Sequence, residues 1–181
     1  MLNIERSYIY EEYENLNCII EYPVIENFNN NLFIEYINKK IYDDILIFKE
    51  ISSYENIDST GNTIIFIDFN EHLNKNNIIS LDIVFSEIYE SSKIMSYINT
   101  YNFDIERKRE LLIEDIINRN FDIKKIINYN LNQSFYITKD YISIVFSSYE
   151  NKNTSEIDEY KLYFKENENN ISRYIKEYVM E

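Results

Sequence analysis

The chain has 181 residues, 45% of them apolar, which is enough for one domain or two closely joined halves to bury a core. Its 32 acidic residues outnumber 18 basic ones, a net charge of −14, and no run of Lys or Arg interrupts the acidic background; this argues against DNA, RNA and anionic membrane surfaces and is compatible with a basic partner. One glycine cannot build a phosphate-cradling loop, one cysteine cannot form an intramolecular disulfide, and one histidine gives no cluster of zinc-type spacing.

In chain order, "SYIYEEY" and "NCIIEYPV" read as strands rich in Tyr and Ile, with Pro23 placed to end the second. Phe28, Leu32, Phe33, Ile37, Ile41, Ile45 and Phe48 then recur at three- and four-residue steps, which predicts a helix of about six turns over 27–48 with Asn27 as its N-cap. The stretch "ISSYENIDSTGNT" around Gly61 reads as a surface loop. "TIIFIDFNEHL" and "IISLDIVFSEIY" are two further strands separated by the turn-like "NKNN". In the second of them Ile79, Leu81, Ile83 and Phe85 alternate with Ser80, Asp82, Val84 and Ser86, so one face is expected buried and the other mostly wet.

"KIMSYINTYNFDI" continues the meander, and "ERKRE", with Arg107 and Arg109, marks a loop tip. Ile123, Ile126, Ile127 and Leu131 are spaced for a second helix. "QSFYITKDYISIVFSSYE" gives two strands turning at 138–140, with Ile142, Ile144 and Phe146 on one face, and "IDEYKLYFK" repeats the device through Tyr160, Leu162 and Phe164. A last helix aligns Ile171, Tyr174, Ile175 and Tyr178. Strands in sequence with a few helices inserted predict an α+β fold: a largely antiparallel β-sheet, the long helix packed across one face, and two shorter helices.

No catalytic residue, metal site or cofactor emerges from these segments. His72 lies near Asp68, Asn70 and Glu71, but a strand divides those side chains between its faces, which predicts a surface histidine. It is also the only imidazole that could serve Cys18 or a serine as a base. For glycan hydrolysis by paired carboxylates the candidates are Glu87, Glu90, Asp115 and Glu150, against the reading that these are solvated acids at strand ends. Tyr89, Tyr97, Tyr101, Tyr149 and Tyr163 fit either half-buried sheet tyrosines or an aromatic platform for sugars or a protein.

The order of segments carries a resemblance. "IIEYPVIENFNNNLFIEYINKKI" resembles the opening of the non-catalytic domain of PdaC-type peptidoglycan deacetylases. "NNIISLDIVFSEIY", "YNFDIERKRELLIEDII" and "FYITKDYISIVFSSYE" resemble the companion C-terminal domain shared with RsiV-type anti-sigma factors. The match runs over 20–179 and implies a single compact unit over 1–181, with a PdaC-like N-terminal half at 1–103 and an RsiV C-terminal-like half at 104–181.

The chain departs from that family at two loops. Where the family carries Gly-Gly-Ala-His, this sequence has "YESSKIMS", with Ser91, Ser92 and Lys93, and a later aromatic- and glycine-containing segment is replaced by "NKNTSEID". The resemblance implies a non-enzymatic recognition or ancillary domain, with a basic protein such as lysozyme, or peptidoglycan, as partner. The alternatives are a small carboxylate-dependent cell-wall glycan hydrolase and a cytoplasmic interaction protein. Binding is expected at the two altered loops, through Tyr89, Glu90, Tyr149 and Glu150. No run of about 18 apolar residues predicts membrane insertion by this chain. A native start at Met1 implies the cytoplasm, whereas a removed leader or anchor implies the cell envelope or the exterior.

Overall fold

The computed structural model describes residues 1–27, 30–55, 61–89, 93–118, 134–146 and 158–180. Strands β1 (Ile4–Glu12) and β2 (Leu16–Ile25) form an antiparallel hairpin, followed by helix α1 (Leu32–Glu55). β3 (Thr63–Lys75), β4 (Ile78–Tyr89), β5 (Lys93–Asp104) and the short β6 (Arg109–Glu110) complete a six-stranded sheet in sequence order. A second sheet has three strands, β7 (Ser134–Ile137), β8 (Tyr141–Phe146) and β9 (Asp158–Tyr163). α2 (Ile113–Ile116) lies between the sheets in sequence, and α3 (Arg173–Ile175) closes the chain, widening into a π-helical turn over Lys176–Met180. Among the described residues every strand pair is antiparallel except β2 with β3. That exception follows from α1, because a helical crossover returns the chain to the end from which it started.

Local chemistry explains the joints. The β3–β4 loop is Asn76-Asn77, both at positive φ (50° and 61°), the left-handed conformation that a two-residue hairpin of type I′ demands and that asparagine tolerates. Pro23 sits inside β2, opposite Arg6, in the part of the strand that has already left β3, so its missing N–H breaks no bond to that neighbour. α1 begins at Leu32 and not at Asn27: Asn31 is its cap, its side chain accepting from Phe33 N (3.0 Å) and its carbonyl from Ile34 N (2.9 Å). Asn27 acts one step upstream, its Oδ1 accepting from Asn31 N at 2.6 Å.

The buried stripe of α1 is Ile34, Ile37, Ile41, Ile45, Phe48 and Ser52, while Leu32 is 77% exposed. Phe28 lies outside the described residues. The stripe packs on Cys18, Ile20, Ile65, Ile67, Ile83 and Phe85, the residues of one sheet face, and α1 lies across that face as its spacing predicts.

The opposite face corrects the expectation of a wet surface on β4. Ser80 is fully buried and Asp82 and Ser86 nearly so, because the three-stranded sheet sits on this side. Its edge strand β7 finds hydrogen bonds in polar side chains of the large sheet. Phe135 N donates to Thr100 Oγ1 (3.0 Å), Asn102 Nδ2 to the Phe135 carbonyl (2.6 Å), and Ile137 N to Ser80 Oγ (2.8 Å). A second core joins Leu73 and Ile78 to Ile113, Ile116, Ile142, Ile144, Leu162, Phe164, Ile171 and Ile175. The predicted positions Ile123, Ile126, Ile127 and Leu131 lie outside the described residues.

Candidate functional site

Of the four expected binding residues, only Tyr89 is described: it ends β4, half-buried, opposite Thr63 and Lys93. Glu90, Tyr149 and Glu150 lie outside the described residues. Among the carboxylate candidates, Asp115 accepts from Arg109 Nη1 (2.8 Å) and from Leu112 N (2.9 Å), which ties it to the first turn of α2. Glu87 is half-buried and stands opposite Ile65, on the side of the sheet that carries α1.

The described residues form a different surface. Strand register places Tyr10, Ile19, Phe66, Ser86 and Ser96 directly opposite one another across β1 to β5, so they share one row on the face away from α1. The β4 and β5 end of the row is covered, with Ser86 and Ser96 buried and bonded to each other at 2.9 Å. The β1 to β3 end is open: Tyr10 is 69% exposed, Ile19 43% and Phe66 39%. Tyr8, two residues before Tyr10 on the same face, is also exposed. Carboxylates border this apolar strip. Glu21 stands opposite Tyr8 and pairs with Arg6, Asp68 lies 3.9 Å from Arg6, and Glu12 stands opposite Asn17. Asn17 Oδ1 is buried without a hydrogen-bond partner among the described residues.

The open strip ends at the three-stranded sheet, where a polar corner links the two sheets. A β-bulge between Glu71 and Leu73 leaves His72 as an extra residue on β3, which re-aims its ring. His72 Nε2 donates to Asp82 Oδ2 at 2.5 Å, and Asn70 Nδ2 donates to Asp82 Oδ1 at 2.9 Å. The imidazole stacks on Tyr136 of β7, ring centroids 3.6 Å apart and planes 8° from parallel. Tyr136 in turn donates to Glu159 (3.0 Å), which also accepts from Ser143 (3.2 Å) and pairs with Lys161. His72 is therefore a half-buried link between the sheets, and the expectation of a surface histidine is corrected; the bulge, invisible to simple alternation, is the reason.

The chemistry of this corner is that of a joint. Burial pushes the Tyr136 phenol above its ordinary value. Both oxygens of the almost fully buried Asp82 are occupied. Cys18 is fully enclosed and burial raises its thiol, the opposite of what a nucleophile needs. It pairs with Ile65 on the α1 face, seven residues along β3 from His72, a separation of about 23 Å at the rise of a strand. Among the described residues no group of three or more His, Cys, Asp and Glu side chains is placed to hold a metal ion. No helix among them is long and apolar enough to cross a membrane.

Sequence reasoning did not single out Tyr8, Tyr10, Ile19 and Phe66. Their signal lies in the runs "YIY", "CII" and "IIFI", which lack polar alternation and so place apolar residues on both faces of three adjacent strands.

No protein-family model matches the chain, and no curated protein does. Solved structures do. A DUF3298 family member from Bacteroides fragilis superposes with a TM-score of 0.63 at 12% identity, covering 97% of this chain and 95% of its own. A DUF3298 family protein from Pseudomonas aeruginosa gives 0.65 at 9% identity, covering 97% and 96%. At such identities the likeness is one of fold, and it extends over both sheets and α1.

Proposed function

We propose that this chain is a non-enzymatic recognition domain of the PdaC/RsiV type, and that the open face of β1, β2 and β3 is its binding surface. The observation that carries the reading is the exposed strip of Tyr8, Tyr10, Ile19 and Phe66 bordered by Glu12, Glu21 and Asp68. Exposed aromatic side chains grouped on a rigid sheet supply contact area at low entropic cost. Acidic groups around them, on a chain of net charge −14, speed encounter with a cationic partner. The partner class is a basic protein such as lysozyme, with peptidoglycan as the competing ligand.

Isothermal titration of the whole chain with lysozyme, and separately with peptidoglycan fragments, tests the reading. Binding is expected for lysozyme, weakened by salt and reduced about tenfold or more by Tyr10→Ala with Phe66→Ala. Heat from neither ligand overturns the proposal, and unchanged affinity in the folded double variant moves the interface off this face. A contribution from Tyr89, Glu90, Tyr149 and Glu150 rests on the resemblance, and replacing those four by Ala or Gln tests it separately.

A further inference from the structure

We propose that β1 is a dimer seam, through which two copies of this chain join edge to edge by antiparallel pairing of their β1 strands, Ile9 meeting Ile9 across a twofold axis. The inference does not rest on the recognition reading and needs no ligand.

β1 ends the six-stranded order, and among the described residues its only strand neighbour is β2. It runs for nine residues in unbroken register, from Ile4 opposite Ile25 to Glu12 opposite Asn17. Three common guards of an exposed edge are missing from it: it has no proline, no lysine and no bulge. About half of its residues direct N–H and C=O groups away from β2, a template for a further strand. The guards it does have are charges, Glu5, Arg6, Glu11 and Glu12, and these select the partner.

A twofold axis perpendicular to the sheet keeps each residue on its own face, so only axes centred on a residue are allowed. Centred on Tyr8, the pairing sets Glu5 against Glu11 twice. Centred on Ser7, it sets Arg6 against Tyr8 and Glu5 against Ile9; centred on Tyr10, it sets Glu12 against Tyr8 and Glu11 against Ile9. Centred on Ile9, it sets Arg6 against Glu12 twice and Tyr8 against Tyr10 twice, with no like charges opposed. A guanidinium has five donors, so Arg6 can hold Glu21 of its own chain and Glu12 of the second copy together. The seam also joins the exposed strips: the row Phe66, Ile19, Tyr10 continues into Tyr8 of the second copy, giving one apolar band across both sheets. With −14 on each copy, association strengthens as salt rises from very low ionic strength and screens the mutual repulsion.

Sedimentation velocity on the full chain, from low micromolar to near-millimolar concentration, is the test. A reversible dimer is expected, weakened about tenfold or more by Arg6→Glu and restored by Arg6→Glu combined with Glu12→Arg. Circular dichroism confirms that each variant is folded. Tyr8→Cys with Tyr10→Cys gives an independent readout. With each substitution placed in a separate chain, this register alone brings the thiol introduced at position 8 of one copy opposite the thiol introduced at position 10 of the other, and mild oxidation is expected to yield a covalent dimer of the mixed chains and of neither alone. A monomer at all concentrations overturns the proposal, as does a dimer indifferent to both charge variants and not trapped by the cysteine pair.

Discussion

Asp82 combines burial with charge, a combination that is costly unless every oxygen is satisfied. It is 3% exposed, and its two oxygens are met by Asn70 and by His72, which the bulge turns inward. Removing the carboxylate strands two donors at the joint between the sheets. Asp82→Ala is therefore expected to lower the unfolding free energy by about 1–3 kcal/mol. Tyr136→Phe removes one bond to Glu159, which keeps Ser143 and Lys161, and the expected loss is about 0.5–1.5 kcal/mol. Urea unfolding of both variants checks the order; a larger loss for Tyr136→Phe would count against Asp82 as the keystone of the corner. The alternation in "SLDIVFSE" identified which residues share a face with Asp82, but not what covers that face. The cover is β7 and β8, more than fifty residues away in sequence, so the burial of Asp82 was not legible locally.

At the scale of elements, the three- and four-residue period of α1 was legible over Ile37, Ile41, Ile45 and Phe48, although the same reading put the 77% exposed Leu32 on the stripe and the last turn, 51–55, in a loop. Its start was not. Asn27 and Asn31 are both chemically able to cap, and only the backbone decides: Asn31 stands at the first helical carbonyl, and Asn30 before it takes a positive φ of 49°. The exposed strip shows the same division. "SYIYEEY" announces alternate tyrosines, yet whether that face lies open depends on where the three-stranded sheet lands, and it lands on β4 and β5. Packing, not propensity, holds α1 in place. Ile37→Ala, at a fully buried position, is expected to cost about 2–5 kcal/mol. Leu32→Ala, one turn earlier and 77% exposed, is expected to change stability by no more than about 0.5 kcal/mol. Chemical denaturation of the pair measures both, and equal effects would mean that the register of the helix on the sheet is wrong.

Across the whole molecule, the buried phenols of Tyr101 and Tyr136 and the half-buried phenol of Tyr174 tie separate elements together, each donating to a carboxylate. Tyr101 of β5 donates to Asp44 of α1 (2.7 Å), Tyr136 of β7 to Glu159 of β9 (3.0 Å), and Tyr174 of α3 to Asp104 of β5 (2.6 Å). Burial, reinforced by those carboxylates, raises all three well above the ordinary tyrosine value. The folded chain thus retains three protons at a pH where the unfolded chain, with phenols near about 10, releases them. A raised folded-state value contributes stability that is complete below about pH 10 and declines as pH climbs beyond it. Each phenol adds to the slope of that decline, the deeply buried Tyr101 and Tyr136 more than the half-buried Tyr174. The net charge of −14 adds repulsion in the same direction. Alkaline unfolding is therefore expected to be cooperative, and to separate the 18 tyrosines into a group that ionises before the fold is lost and a group that ionises with it. Ultraviolet titration of the phenolate band beside far-ultraviolet circular dichroism reads both at once. If every phenolate appears before the dichroism changes, the three tyrosine joints do not hold the elements as described.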